Sequence, residues 1–173
     1  MEIIFESERL LLRKFSIDDA LLLIDLNKNS EVTKYLHEPP TTELNAVDII
    51  QNIILPQYQQ NNFGRWAVHT KSDKAFIGWC GLKQTPNHLF PDLGYRLFQK
   101  YWGNGYATEA AKRTIEYGFE ALQLPGIFAA AHIENIASQK VLEKGGMNFD
   151  SYKTISEIPV KTYVLLATEF SKL

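Results

Sequence analysis

The stretch Asp92-Leu-Gly-Tyr-Arg-Leu-Phe-Gln-Lys-Tyr-Trp-Gly-Asn-Gly-Tyr-Ala-Thr-Glu-Ala-Ala111 decides how this chain folds. Its pattern predicts a short strand, then a turn that carries two glycines, then a helix that begins directly after the turn. Glycine lets the backbone turn without a Cβ clash and approach a ligand closely. The first turn of the helix offers N–H groups without partners and a partial positive charge. This order of elements predicts a site for a phosphorylated ligand.

Two better-known glycine signatures do not fit this turn. A dinucleotide-binding loop has the pattern Gly-x-Gly-x-x-Gly, but after Gly103 and Gly105 the chain has Thr108 where the third glycine would fall. A nucleoside-triphosphate loop needs Gly-Lys followed by Ser or Thr, and the sequence has no such triplet. The ligand is therefore expected to be neither NAD nor ATP.

Composition limits the class of protein. The 173 residues are 45% hydrophobic and 22% charged, with a formal net charge of −2, so nothing in the charge favours nucleic acid as a partner. The one cysteine, Cys80, excludes an internal disulfide and favours a reducing compartment. No apolar run resembles a signal peptide or approaches the ~18 residues of a membrane span. We expect one cytoplasmic domain, residues 1–173, with no membrane partner.

Apolar periodicity and turn residues predict a mixed α/β fold in the order β-α-α-β-β-β-α-β-α-β-β. Helices are predicted to begin at Ser16 and Thr42, and Pro56 is expected near the end of the second. In the helix over 106–122, small residues recur at helical spacing and predict close packing on a sheet. Strands are predicted over 9–15, 66–70, 75–82, 93–98, 127–133, 147–156 and 160–170, and a further helix over 137–144.

Three segments carry a resemblance to a known family. They are Ser7-Glu-Arg-Leu-Leu-Leu-Arg13, Tyr101-Trp-Gly-Asn-Gly-Tyr-Ala-Thr-Glu-Ala110 and Glu134-Asn-Ile-Ala-Ser-Gln-Lys-Val-Leu-Glu-Lys-Gly-Gly-Met147. With the element order, they resemble the GNAT acetyltransferase superfamily over nearly the whole chain. Within it the chain most resembles the branch that includes ribosomal-protein N-terminal acetyltransferases. The resemblance implies a single α/β domain whose sheet is mostly antiparallel, with helices on both faces.

The resemblance also implies that acetyl-CoA is the acetyl donor and lies between the fourth and fifth predicted strands. Its pantetheine arm would run along the edge of Leu97 and Phe98 as an added strand would, and Asn135 would contact the same arm. The family pattern begins with Gln or Arg where this chain has Trp102, which leaves phosphate binding to the backbone. The pyrophosphate is expected on N–H groups from about Gly103 to Thr108. The residues of the turn expected to bind the cofactor are Trp102, Gly103, Asn104, Gly105, Tyr106, Ala107 and Thr108. The histidines show no spacing typical of a metal site, so no metal is expected.

The implied reaction is direct attack of an amine on the thioester in a ternary complex. It needs a neutral amine, a donor for the oxyanion and a proton for the leaving thiolate. A backbone N–H near Phe98 is expected to serve the oxyanion. Ser138 occupies the position where many family members place a tyrosine, and is the predicted partner of the thiolate. The alternative is that Asn135 caps the short helix and Ser138 merely lies in its first turn.

Asp92, just before the fourth predicted strand, is the predicted general base, directly or through water. The alternative for Asp92 is a solvated turn residue, and Glu134 and Glu157 are weaker candidates for the base. Glu109, in the first turn of the central helix, is expected to support the helix dipole. His132, in an apolar strand, is expected to be packed or hydrogen-bonded.

The acceptor is predicted from the chemistry of amines. An α-amine has a pKa of about 7.7–8.0 and is partly neutral near physiological pH, whereas a lysine amine has a pKa of about 10.4. This favours the N-terminus of a protein or peptide. A small amine, such as a polyamine or an aminoglycoside, is the alternative. A polyamine needs an acidic site, and the segment 35–42, expected on the acceptor side, holds only one acidic residue, Glu38.

A non-catalytic module that binds acyl-CoA is a third hypothesis for the function. No oligomeric state is predicted.

Overall fold

A computed structural model describes residues 2–36, 42–86 and 88–171, and in these ranges the chain forms one sheet of eight strands. The sheet order is β1-β2-β3-β4-β5-β6-β8-β7, and every neighbouring pair is antiparallel except β5 and β6. The predicted α/β fold with a mostly antiparallel sheet is confirmed. The strands are β1 Ile3–Glu6, β2 Leu10–Lys14, β3 Arg65–Thr70, β4 Phe76–Lys83, β5 Asp92–Leu97, β6 Gly126–His132, β7 Asn148–Ile155 and β8 Ile158–Leu166.

Helices cover both faces of the sheet, as the resemblance implies. The helices are α1 Ala20–Asn27, α2 Ser30–Thr33, α3 Glu43–Ile49, α4 Leu55–Asn61, α5 Tyr106–Glu120, α6 Ile136–Lys144 and α7 Ala167–Phe170. On one face, the Thr114 hydroxyl of α5 lies 3.4 Å from the Cys80 sulfur of β4. On the other face, Arg96 of β5 donates to the side-chain oxygen (Oδ1) of Asn27 in α1 at 2.6 Å. Since side chains alternate along a strand, residues 92, 94 and 96 share the α1 face, and residues 93, 95 and 97 share the α5 face.

The small side chains of α5 let the helix lie close to the sheet. Ala110, Ala111 and Thr114 are fully buried. A Cβ added at Gly118 would lie 2.9 Å from a methyl carbon of Ile127, so any side chain at this position would displace Ile127. Behind the helix, burial raises the pKa of the Cys80 thiol to about 12, so the thiol stays protonated and unreactive in the core.

Two sequence predictions in the N-terminal third are wrong. The prediction has no strand before residue 9, whereas β1 pairs antiparallel with β2, so the strand before the glycine turn is the fifth. A four-residue strand is too short to show a periodic pattern and is stabilised by its partner. The second error concerns Pro56, which lies in the first turn of α4. A π-helical segment, Ile50–Ile54, joins α3 to α4 and shifts the bonding pattern where proline lacks an N–H.

The C-terminal boundaries also differ from the prediction. The last strand ends at Leu166 and the chain continues as α7. The β7–β8 turn lies at Ser156 and Glu157, both with positive φ. Glu38, the acidic residue of the segment 35–42, lies outside the described residues.

Candidate active site

A cleft opens between β5 and β6. These parallel strands pair at Asp92 and Phe128, beside a bond of 2.9 Å from the Phe128 N–H to the Pro91 carbonyl. The pairing does not continue along either strand, both of which are fully described. The strands therefore separate toward their C-terminal ends, where the glycine turn with α5 and the start of α6 flank the opening.

The backbone groups that face this cleft follow from the pairing of β5 with β4. The Phe98 N–H donates to the Ile77 carbonyl at 3.0 Å, so it points to β4. In an antiparallel pair, alternate residues direct their N–H and C=O groups to the same side. The set that faces the cleft is therefore Leu93, Tyr95 and Leu97.

The predicted oxyanion donor is a backbone N–H near Phe98. It is not the N–H of Phe98 itself, because that group already has a partner in β4. The N–H groups of Tyr95 and Leu97 face the cleft instead. The Leu97 carbonyl accepts from the indole N–H of Trp102 at 2.9 Å, which fixes the glycine turn to the strand end and uses the only side-chain donor of Trp102.

The glycine turn has the backbone conformation that its sequence predicts. Gly103 and Gly105 have φ of 76° and 80°, in the left-handed region that disfavours side chains. The Glu109 N–H donates to the Gly105 carbonyl at 3.0 Å. The N–H groups of Tyr106, Ala107 and Thr108 come earlier in the helix and have no acceptor within it. An exposed turn with these N–H groups suits an anion such as a pyrophosphate.

Contacts of Ser7 and Arg9 with Glu109 hold this turn from the other side, and the sequence did not predict them. The Glu109 carboxylate accepts from the Ser7 hydroxyl, the Arg9 backbone N–H and the Arg9 Nε, each at 2.7 Å. Arg9 also donates to the Asn104 carbonyl at 3.0 Å, and its guanidinium lies 4.5 Å from the ring centre of Tyr106. Burial opposes ionisation of Glu109, but the bonds from Ser7 and Arg9 hold its pKa below the usual range. Ser7 and Arg9 thus act at the turn although they lie in the first segment of the resemblance.

At the start of α6, the structure confirms the cap by Asn135, and the role of Ser138 at the thiolate stays a prediction. The Asn135 side-chain oxygen accepts from the Ser138 N–H at 3.1 Å and caps the helix. The Ser138 hydroxyl oxygen accepts from the Tyr95 hydroxyl at 3.0 Å. Burial raises the pKa of Tyr95 to about 12, so Tyr95 stays protonated at neutral pH. Because Tyr95 donates to Ser138, the Ser138 O–H can itself donate to a group in the cleft.

Asp92 lies at the closed end of the cleft, on the opposite face of the sheet from Ser138. It lines a cavity of about 40 Å³ with Arg65, Lys83 and Gly94, and it is partly buried rather than a solvated turn residue. Burial raises the pKa of Asp92 to about 7, although the charges of Arg65 and Lys83 act to lower it. A carboxyl with this pKa is partly ionised at neutral pH and can accept a proton.

The remaining candidates are placed less favourably for proton transfer. Glu134 and Glu157 are exposed, the first after β6 and the second in the β7–β8 turn. The His132 ring stacks on Tyr35 with ring centres 5.0 Å apart, and its Nδ1 accepts from the Glu134 N–H. In the described ranges, no three His, Cys, Asp or Glu side chains lie close enough to hold a metal ion. In the same ranges, no helix combines the length and apolar character needed to cross a membrane.

A parallel strand pair that opens beside a glycine turn and a helix N-terminus offers unpaired backbone groups to an extended ligand that carries phosphate. The profile of the acetyltransferase (GNAT) domain matches residues 9–148. The chain belongs to this family and is an acetyl-CoA-dependent N-acetyltransferase. It is 34% identical over 173 residues to the uncharacterized N-acetyltransferase p20 of Bacillus licheniformis, covering 95% of this chain and 97% of p20.

Solved structures share the fold. The GNAT-family acetyltransferase of Bacillus anthracis has a TM-score of 0.80 and 27% identity, over 97% of this chain and 99% of that one. RimL, a ribosomal L7/L12 α-N-protein acetyltransferase in complex with coenzyme A, has a TM-score of 0.82 and 16% identity over 95% and 98% of the two chains. The spermidine N-acetyltransferase of Vibrio cholerae, in complex with CoA and spermine, has a TM-score of 0.79 and 20% identity over 95% and 99%. At these identities the last two show the fold alone, and their acceptors differ.

Proposed function

We propose that this enzyme transfers the acetyl group of acetyl-CoA to the N-terminal α-amine of a protein or peptide, by direct attack in a ternary complex. The observation that carries the proposal is the placement of Asp92 and Ser138 on opposite faces of the sheet, with the open edge of β5 between them. A thioester along that edge meets Ser138 on its thiol side. An amine then approaches from the face of Asp92.

The pKa of Asp92 favours an α-amine over other amines. A base with a pKa of about 7 is close to an α-amine at about 7.7–8.0, whereas a lysine or polyamine amine near 10.4 is a far weaker acid. The adjacent charges of Arg65 and Lys83 also disfavour an ammonium ion and so favour the neutral amine. The site therefore suits an amine that needs little help to lose its proton.

The donor half of the site is proposed to bind acetyl-CoA mainly through backbone groups. The Leu97 N–H would pair with the pantetheine arm as a neighbouring strand does, and the Asn135 amide N–H₂ is available because only its oxygen serves as the cap. Phe98 would lie at the strand end beside the pantetheine arm without donating its N–H to it. The proposed pyrophosphate residues are Gly103, Asn104, Gly105, Tyr106, Ala107 and Thr108. Trp102 would support the turn through its bond to Leu97.

In the proposed reaction, Asp92 accepts one proton from the acceptor's ammonium group, directly or through water. The neutral nitrogen attacks the thioester carbon, and the N–H of Tyr95 or Leu97 stabilises the oxyanion. The new C–N bond is retained while the C–S bond breaks. The Ser138 hydroxyl stabilises the thiolate by a hydrogen bond, and the second proton lost by nitrogen ends on sulfur. The products are the acetylated amine, the thiol of CoA and one proton held by Asp92.

Ser138→Ala should lower kcat by about 10- to 150-fold, because a hydrogen bond to a charged group contributes about 1.5–3 kcal/mol. The KM for acetyl-CoA should change little, since the bond forms only as the thiolate develops. Ser138→Thr keeps the hydroxyl and is the matched control, expected to retain most of the activity. Steady-state thiol release measures both constants. An unchanged kcat in Ser138→Ala would remove this residue from the reaction.

A peptide panel tests the function itself. A lysine-free peptide with a free N-terminus should be acetylated, and the same peptide with a blocked N-terminus and one internal lysine should not. CoA release and the mass of the product are measured together, with spermidine and an aminoglycoside alongside. Turnover of the small amines without the peptide would overturn the proposal in their favour. Acetyl-CoA binding without turnover of any amine would indicate the non-catalytic module.

A further inference from the structure

The glycine turn carries no cationic side chain of its own. None of residues 102–108 is lysine or arginine, and the indole N–H of Trp102 already donates to the Leu97 carbonyl. A pyrophosphate is an anion, and hydrogen bonds from a charged donor are roughly twice as strong as those from a neutral one. Arg9, which directly precedes β2, brings a guanidinium to this turn from a distant part of the chain, where it donates to the Asn104 carbonyl.

The guanidinium of Arg9 is held in place by three contacts. Its Nε donates to the Glu109 carboxylate at 2.7 Å, and its Nη1 donates to the Asn104 carbonyl at 3.0 Å. The flat face of the group lies 4.5 Å from the ring centre of Tyr106. A guanidinium fixed in this way loses little conformational freedom when it binds a further group.

The third guanidinium nitrogen, Nη2, is available for such a group. Among the residues that the structure describes, none accepts a hydrogen bond from it. A Cβ built at Gly105 would lie 3.4 Å from Nη2, so this nitrogen lies beside the residue that precedes the N–H groups of Tyr106 and Ala107. The side chain of Arg9 is 43% exposed and that of Glu109 only 16%. The ion pair therefore presents its cationic member to the solvent beside the turn.

Glu109 offsets the charge of Arg9 without occupying Nη2. Its carboxylate accepts from Nε, from the Arg9 backbone N–H and from the Ser7 hydroxyl. Burial opposes ionisation of Glu109, but these bonds hold its pKa below the usual range, so the pair stays ionised at neutral pH. Because the two charges largely cancel at a distance, Arg9 acts on a ligand through a directed bond at short range.

We propose that Arg9 binds the pyrophosphate of CoA through Nη2 and is the charged phosphate ligand that the turn itself lacks. This inference rests on the proposed placement of the pyrophosphate at the glycine turn and does not depend on the acceptor. The phosphate oxygens would accept from the first N–H groups of α5 and from Nη2 together. Residues 7–13 would then contribute to binding of the donor as well as to the fold.

The test measures the Kd of CoA and of 3′-dephospho-CoA by calorimetry, with no acceptor present. Arg9→Gln should raise both values by the same factor, about 10-fold, which is the lower end for a charged hydrogen bond because Arg9 is partly exposed. Both ligands keep the pyrophosphate, so a rise confined to CoA would place the contact at the 3′-phosphate and overturn the assignment. No rise for either ligand would overturn the inference and leave the proposed acetyl transfer standing. Failure of the parent enzyme to bind either ligand would overturn the proposed donor site as well.

The salt dependence distinguishes a direct contact from mere support of the turn. In the parent enzyme the Kd of CoA should rise as salt increases from ~0.05 M to ~0.5 M, and Arg9→Gln should flatten this rise, because screening acts on a charged contact. The matched control is Lys112→Gln, on the exposed surface of α5, which should keep both the Kd and its salt dependence. A weaker Kd in folded Arg9→Gln with the salt dependence of the parent enzyme would mean that Arg9 only supports the turn, and would overturn the inference.

Two further measurements cover the case in which Arg9→Gln folds poorly, as judged by thermal unfolding. Arg9→Lys keeps a cation at this place and should bind CoA more weakly than the parent enzyme but with a similar salt dependence, since lysine lacks the fork that holds Glu109 and Asn104. In the parent enzyme, 3′-dephospho-CoA should protect Arg9 from modification by phenylglyoxal, detected by mass spectrometry. Equal labelling of Arg9 with and without this ligand would contradict the contact.

Discussion

Asp92→Asn should lower kcat/KM for a peptide acceptor by about 100-fold or more, the usual contribution of a general base. Burial raises the pKa of Asp92 to about 7. Below this pH the carboxyl is protonated and cannot accept the amine's proton, so the rate should rise as pH increases through about 7. Asparagine does not titrate. The variant should keep only the dependence on the α-amine, whose pKa is about 7.7–8.0.

The measurement is kcat/KM for one peptide from about pH 5.5 to about pH 9 at saturating acetyl-CoA. The lower limit is about 1.5 units below the pKa of Asp92. The upper limit is above the pKa of the α-amine. Asp25→Asn is the matched control, because Asp25 is an exposed carboxylate on α1 and its loss should leave the profile unchanged. A profile of Asp92→Asn that keeps the inflection near pH 7 would show that Asp92 is not the base.

Stability distinguishes loss of catalysis from loss of folding in this variant. The pKa of Asp92 is raised in the folded state, so the folded protein binds a proton more tightly than the unfolded chain does. Ionisation of Asp92 above pH 7 therefore disfavours the folded state, and stability from this group decreases as pH rises through the folded pKa. Asp92→Asn removes that charge. At pH 8 it should unfold at a temperature no lower than that of the parent enzyme.

The parts of this site that the sequence predicts are those with local causes. The turn conformation follows from Gly103 and Gly105 themselves, and the position of α5 follows from small residues at helical spacing. The cap of α6 likewise involves Asn135 and Ser138, three residues apart. In each case the residues that cause the structure lie within a few positions of it, where a pattern can be recognised.

The parts that the sequence does not predict depend on partners far along the chain. The Tyr95–Ser138 bond joins residues 43 positions apart, and the bond from Arg9 Nε to Glu109 joins residues 100 apart. The side of β5 that faces the cleft depends on its register with β4, so one strand alone could not exclude Phe98 as a donor. The raised pKa of Asp92 similarly arises from burial beneath other elements. Tertiary packing determines these features, and no local pattern records them.

Gly105→Val should raise the KM for acetyl-CoA by about 30-fold, while Gly105→Asn should stay within about fivefold of the parent enzyme, since each tenfold corresponds to 1.4 kcal/mol. Gly105 precedes α5 with φ of 80°. A β-branched residue is strongly disfavoured there, whereas asparagine is among the side chains that tolerate this conformation. In Gly105→Val the backbone should therefore move and displace the N–H groups of Tyr106 and Ala107.

The two variants of Gly105 form a matched pair because they add a Cβ at the same place. That atom would lie 3.4 Å from the Arg9 Nη2 in either case, an ordinary contact, so the comparison isolates the backbone conformation. The KM for acetyl-CoA and the Kd of CoA, measured by calorimetry, should rise together in Gly105→Val, while kcat at saturation changes less. Thermal unfolding shows whether each variant is folded. If both variants bind CoA equally well, the left-handed conformation of Gly105 does not position the phosphate-binding N–H groups. If they lose binding equally, contact with Arg9 rather than backbone conformation controls the turn.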